Sequence, residues 1–143
     1  MTILGIDYGT KRIGLATGDS GSALVFPLRT IDRTAVPDAV AAVLDAARAE
    51  SAERIVVGVP RRMTGAPETG ETEREALAFV EALKAGSAIA VDTEDERMTS
   101  ALADRWRQMG DKKAKFDRDA AAAAAILETY IERMRLKGES PKG

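Results

Sequence analysis

At 143 residues the chain has the length of one domain around one hydrophobic core, and its composition, 45% hydrophobic and 31% charged, is that of an ordinary globular protein. Lys+Arg 21 against Asp+Glu 23 leave a formal charge of -2, which excludes a global polycation that coats nucleic acid but leaves room for a local basic patch. Cysteine and histidine are both absent, so disulfides, thiolate nucleophiles, imidazole bases, Ser-His-Asp triads and His- or Cys-based zinc sites are excluded together.

"TILGID", Thr2 to Asp7, reads as a buried central strand, because it is almost wholly apolar and favours extended backbone. "RIGLATGD", Arg12 to Asp19, is a second strand that breaks at "GDSGS" in a hairpin turn. "ALVFPLRTI", Ala23 to Ile31, is a third, and Pro27 assigns it an edge or a bulge. The three form an antiparallel meander. From Thr34 the period becomes helical, with Val36, Val40, Val43, Leu44 and Ala47 on one face, Thr34 as cap and Pro37 in the first turn. "RIVVGVP", Arg54 to Pro60, is the strongest strand signal, and its order after a helix suggests a parallel crossover.

The loop "RRMTGAPETGE" leads to a helix from about Thr72, where Thr72 and Glu75 can form a capping box, ending at Gly86. "SAIAVD" reads as a short fifth strand. Thr99 or Ser100 can cap a helix carrying Leu102, Trp106 and Met109, and a final helix spans about Asp117 to Arg135. The run Ala120 to Ala125 in that helix suits close packing on a sheet. "KGESPKG" reads as a frayed tail. No apolar run has the length of a membrane span, and Asp7 interrupts the opening segment where a signal peptide would stay apolar, so the chain reads as cytoplasmic.

With no His or Cys, catalysis must rest on carboxylates, Lys, Arg, Tyr, Ser or Thr, or on a cation held by oxygen ligands. Asp7 ends an apolar strand, where a carboxylate is costly unless paired, hydrogen-bonded or bound to metal; it can equally open the "DYG" turn. Asp119 lies on the stripe Ala123, Ile126, Tyr130 and Met134, yet an acid in a helix's first turn is also worth about 0.3–1 kcal/mol against the helix dipole. "DTEDERMTS" brings Asp92, Glu94, Asp95 and Glu96 together beyond the predicted fifth strand; a solvated turn is the ordinary reading, and physics alone selects none of the four.

Carboxylates drawn from separate elements match a Mg²⁺ or Mn²⁺ site, and paired-metal sites of that kind cleave phosphodiesters without a histidine base. Glycoside hydrolysis fits less well, since few aromatics are present to line a sugar groove. Basic groups recur beside the acids: Lys11 and Arg12, Arg61 and Arg62, Arg97, then Lys112, Lys113, Lys115 and Arg118. Each alone is an ordinary solvated face; together they suit a phosphate backbone. "GIDYGTKRIG" lacks the spacing of a P-loop or a dinucleotide fingerprint.

"GIDYGTKRIGLA", "VVGVP" followed by "MTG", "DERMTS" and "DRDAAAAAAILETY" occur in the order found in the YqgF/RuvX family, and the resemblance runs from Ile3 to about Tyr130. These are the Holliday-junction-resolvase-like bacterial proteins assigned as pre-16S rRNA nucleases. The resemblance implies one RNase H-like α/β domain over residues 1–137, with a tail at 138–143. Its five-stranded mixed sheet would comprise a three-stranded antiparallel meander and two parallel strands, flanked by helices.

The resemblance also implies an acidic triad, Asp7, Glu96 and Asp119, as catalytic residues holding one or two Mg²⁺ or Mn²⁺ ions, with Lys11, Arg97 and the basic segment before Asp119 on phosphates. Structured RNA, and precursor 16S rRNA in particular, is the implied substrate; branched DNA and a non-catalytic assembly role are the alternatives. The chain departs from the family at Met63-Thr64-Gly65, where the middle residue is commonly Asp, at Met98 in place of Leu, and in the charged Asp117-Arg118 approach to Asp119. In this reading Glu96 is the ligand, while Asp92 and Glu94 form a solvated approach to the turn.

Overall fold

Strand β1 (Thr2–Asp7) is apolar on both faces, so it belongs where both faces are covered. The computed structural model, which describes residues 1–60, 67–95 and 118–138, puts it third in a five-stranded sheet. β2 (Arg12–Asp19) pairs antiparallel with β1, and β3 (Val25–Asp32) pairs antiparallel with β2. β4 (Arg54–Val59) lies parallel to β1 on its other side, and β5 (Ala90–Asp95) parallel to β4, giving the order β3-β2-β1-β4-β5. This is the mixed sheet of an RNase H-like fold. Pro27 is on the edge strand, opposite Ala16 where the register shifts, so the proline that cannot donate sits where no ladder bond is needed.

Helix α1 (Ala39–Ala49) starts later than the Thr34 cap predicted from spacing. Asp38 caps it by accepting from the Ala41 amide at 3.2 Å, while Thr34 is drawn into a local turn in which its hydroxyl donates to Asp32 at 2.7 Å. Helix α2 (Pro67–Gly86) starts earlier than predicted, with a proline in the tolerated first position, so Thr72 lies inside it rather than at its start; Gly86 ends it as expected. Helix α3 (Arg118–Leu136) closely matches the expected final helix.

The predicted strand "SAIAVD" is displaced. Residues 87–89 form a bend in which the Ile89 amide donates to the Ser87 hydroxyl, and β5 begins three residues later at Ala90. Asp92, Glu94 and Asp95 therefore lie within the strand rather than beyond it.

Two cores flank the sheet. Leu4, Ile6, Ile13, Leu15, Ile55, Val57 and Val59 pack under α1 and α2, whereas Ile3, Ala16 and Val56 face Ala123, Ala124, Ile126, Leu127 and Ile131 of α3. The polyalanine run lets α3 settle very low on the sheet: a Cβ at Gly58 would come within 2.2 Å of Ile126 Cδ1. Among the described residues, no helix is long and apolar enough to cross a membrane. The helix predicted around Leu102–Met109 and the residues 139–143 of the tail lie outside the described residues.

Candidate active site

The low seat of α3 brings two of the predicted acids to one corner. Asp7, the last residue of β1, pairs in register with Gly14 of β2, and directly opposed residues project from the same face. A Cβ at Gly14 would lie 1.9 Å from the carbonyl oxygen of Asp119, so the first turn of α3 rests directly on that spot. Asp7 is half-buried; its Oδ1 is a buried atom with no hydrogen bond among the described residues, although the residue has other interactions. Asp119 is partly exposed and accepts from Arg12 Nε at 2.9 Å through Oδ2.

The turn after Asp7 is held from beneath. Arg33 Nη1 donates to the Tyr8 hydroxyl at 3.1 Å and to the Gly9 carbonyl at 3.0 Å, with its guanidinium 5.3 Å from the Tyr8 ring centroid and 5.8 Å from that of Phe79. Tyr8 and Phe79 are themselves in ring contact at 5.2 Å. The turn that follows the first acid is thus fixed by a cation donating to it and stacked on two rings, an arrangement no local pattern around Arg33 announces.

Of the predicted phosphate-binding residues, Lys11, Arg12 and Arg118 are exposed at this same corner, Arg12 beginning β2 and Arg118 beginning α3. Glu96, Arg61, Arg62, Arg97, Lys112, Lys113 and Lys115 lie outside the described residues, as do Thr64, Met98 and Asp117. β5 ends at Asp95, immediately before Glu96 in the chain. Among the described residues, no group of three or more acids stands ready to hold a metal.

The family model for RuvX, described as a Holliday junction resolvase, matches residues 1–133. The chain belongs to the RuvX family. Curated relatives named "Putative pre-16S rRNA nuclease" include one from Dechloromonas aromatica, 39% identical over 134 residues, covering 92% of this chain and 90% of the relative. Another, from Maridesulfovibrio salexigens, is 34% identical over 136 residues, covering 93% of this chain and 99% of the relative. RuvX membership places the chain among the nucleases, which are hydrolases.

Two solved structures share the fold. One is Thermus thermophilus RuvC in complex with a Holliday junction substrate, with a TM-score of 0.65 and 21% identity, covering 97% of this chain and 98% of that one. The other is the fowlpox virus resolvase with Holliday junction DNA, with a TM-score of 0.58 and 13% identity, covering 94% and 99%.

In this RuvX chain a second polar cluster, which the spacing did not reveal, lies farther along the same helix. Glu94 is no solvated approach: it is 1% exposed, and Arg133 Nη2 donates to its Oε1 at 2.5 Å, leaving Oε2 buried without a hydrogen bond. Burial pushes its carboxyl up, against the opposing pull of the Arg133 charge. Beside it Arg54 Nη1 donates to the Tyr130 hydroxyl at 2.8 Å, and that hydroxyl donates to Asp92 Oδ2 at 2.8 Å. Burial, then the bond to Asp92, pushes the Tyr130 phenol up to about 12. The alternation Asp92, Glu94 was the available signal, since a period-two pair of acids on a strand must find partners if that face is covered.

Proposed function

We propose that the chain is a metal-dependent endonuclease that hydrolyses phosphodiester bonds in structured RNA, acting on the 5′ end of precursor 16S rRNA. The observation that carries the reading is the meeting of Asp7 and Asp119 at one corner, seated by Gly14, with the exposed Arg12 on Asp119. The names of the RuvX relatives support the rRNA substrate.

The donor set fits a hard divalent cation: both acids offer oxygen, they come from separate elements, and neither sulfur nor imidazole competes. Asp7, Asp119 and Glu96 would hold one or two Mg²⁺ or Mn²⁺ ions. Bound there, the cation would acidify the attacking water and neutralise charge on the leaving oxygen. The chain's own groups do the rest. Gly14 and the Arg33-held turn keep the two carboxylates in place. Lys11, Arg12 and Arg118 take phosphates flanking the reacting one, joined in this reading by Arg61, Arg62, Arg97, Lys112, Lys113 and Lys115.

The test is cleavage of a precursor 16S rRNA fragment, with and without EDTA, by wild type, Asp7→Asn, Glu96→Gln and Asp119→Asn. Metal-dependent product with wild type and at least a hundred-fold loss in each variant is expected, the size typical of removing a group that acts on the transition state. Cleavage by all three variants at the wild-type rate refutes the site. A second reading, cleavage of branched DNA, is favoured by the description of the family model; a four-way DNA junction in the same assay separates the two substrates.

A further inference from the structure

Arg12 stands in an unexpected place. It is the first residue of β2 and 66% exposed, yet its Nε is committed to Asp119 Oδ2 in the first turn of α3. A helix N-terminus repels cations, so the helix itself does not draw the guanidinium there; the carboxylate does. The bond to Asp119 uses Nε alone, which leaves the Nη1 and Nη2 edge of the fork outside that contact. On β2's other side, the cross-strand neighbour of Arg12 is Asp32, an exposed acid that also feels the Arg12 charge.

We infer that Arg12 is an exchange cation: it holds Asp119 in the metal-free protein, yields that oxygen to the divalent ion, and then presents its guanidinium to a phosphate of the nucleic acid. This rests on the acidic site proposed above. One oxygen cannot be the full partner of both the guanidinium and a metal ion, so the two compete for Asp119 Oδ2. The competition is mild, because an exposed pair of this type shifts an equilibrium by no more than about five-fold. Released, Arg12 loses its carboxylate and gains what its planar fork matches best, two oxygens of one phosphate, while Asp32 keeps it near the corner.

Nucleic acid and metal then help each other. A phosphate that takes Arg12 frees Asp119 for the ion, and an ion that takes Asp119 frees Arg12 for the phosphate; by linkage the two enhancements are equal. An Arg that merely staples α3 to β2 would show neither.

The experiment measures Mn²⁺ affinity by electron paramagnetic resonance without nucleic acid, and RNA-hairpin affinity by anisotropy in EDTA and in Ca²⁺. It compares wild type, Arg12→Gln, Arg12→Lys and Asp7→Asn, each checked for folding by circular dichroism. Arg12→Gln should bind Mn²⁺ about two- to five-fold more tightly than wild type, since its competitor is gone. Arg12→Lys should bind Mn²⁺ as wild type does, since it still competes. The hairpin affinity of wild type should rise on adding Ca²⁺ by more than that of Arg12→Gln, with a salt dependence steeper by about one phosphate. Mn²⁺ affinity unchanged or weakened in Arg12→Gln, with binding lost in Asp7→Asn, overturns the exchange while leaving the acidic site standing. Mn²⁺ bound by neither wild type nor Arg12→Gln removes the site and the exchange with it.

Discussion

Replacing Gly14 by alanine is the sharpest perturbation of the corner that joins Asp7 to Asp119. The added methyl would lie 1.9 Å from the Asp119 carbonyl oxygen, 2.3 Å from its carbon and 2.9 Å from the Ala120 nitrogen. All three are backbone atoms of a helix, so no side chain can swing aside; to restore ordinary contact the first turn of α3 must lift by about 1.5 Å. Overpacking of this kind costs about 1–3 kcal/mol, and the upper end applies because Ala123, Ile126 and Leu127 lift with the turn. A catalytic loss of comparable size should add to this, since misplacement of a reacting group by about 1 Å costs on the order of a hundred-fold in rate, or roughly 2.7 kcal/mol.

Gly5→Ala supplies the control. Its methyl would meet Leu127 Cβ at 2.9 Å and the Ala123 carbonyl at 3.1 Å, mid-helix and away from the first turn. Urea unfolding and single-turnover cleavage of the RNA substrate, run on both variants, should give Gly14→Ala the greater activity loss per unit of stability lost. If Gly14→Ala keeps both stability and rate while Gly5→Ala loses them, α3 does not rest on β2 as described.

Glu94→Gln tests the buried ion pair by its pH dependence. Because the folded carboxyl titrates above its ordinary 4.5, the stability linked to its protonation is fully present below that value and is lost as pH rises through the folded pKa. The variant should therefore be at its most favourable relative to wild type near neutrality, and the two should converge below pH 4.5 in urea titrations; a constant difference across that range refutes the burial of an ionised Glu94. Tyr130→Phe, which removes the donor to Asp92 and the acceptor for Arg54, should cost about 1–2 kcal/mol in chemical unfolding and abolish the phenol that ionises near 12 in an absorbance titration.

Asp19 behaves oppositely: the N-terminal ammonium and then Ser22 hold its carboxyl down at about 2, so the advantage of wild type over Asp19→Asn should persist above the ordinary 3.8 and vanish as pH falls toward 2. Nuclear magnetic resonance titration of an amino-terminally acetylated sample should find that carboxyl moved up; no movement would exclude the amine as the cause.

Strands whose two faces meet covered cores announced themselves. Leu4, Ile6 and Val57 under α1 and α2, with Ile3 and Val56 under α3, leave β1 and β4 few polar positions to confuse the pattern. β5 did not, because its inward residues toward α3 are Asp92 and Glu94. A buried acid such as Glu94 needs a partner, and Arg133 comes from 39 residues farther along, while the exposed Asp92 meets Tyr130 from 38. Apolar periodicity therefore favoured the preceding "SAIAV", which the structure turns into a bend and the first residues of the strand.

At the candidate site, Asp7 stood out as a charge ending an apolar strand and Asp119 as an acid on a packed stripe. Their meeting was not legible from spacing, since it depends on how closely α3 approaches Gly14. Glu96 was chosen by family resemblance and lies outside the described residues. Arg33 went unnoticed because a cation stacked on Tyr8 and Phe79 has no local signature.

The Arg12 and Asp119 contact joins residues 107 positions apart, and α3 follows every strand of the sheet in the chain. A polypeptide emerging from the ribosome can build its meander and even its parallel crossover while the proposed site still lacks two of its three carboxylates, Glu96 and Asp119. Contacts of such long range form late because a large loop must close first. A stalled or truncated chain lacking α3 therefore carries Asp7 but not the Asp119 of the proposed site. For a protein whose proposed substrate is the ribosome's own RNA, the order of synthesis would act as a safety catch: the proposed site is complete only when α3 docks.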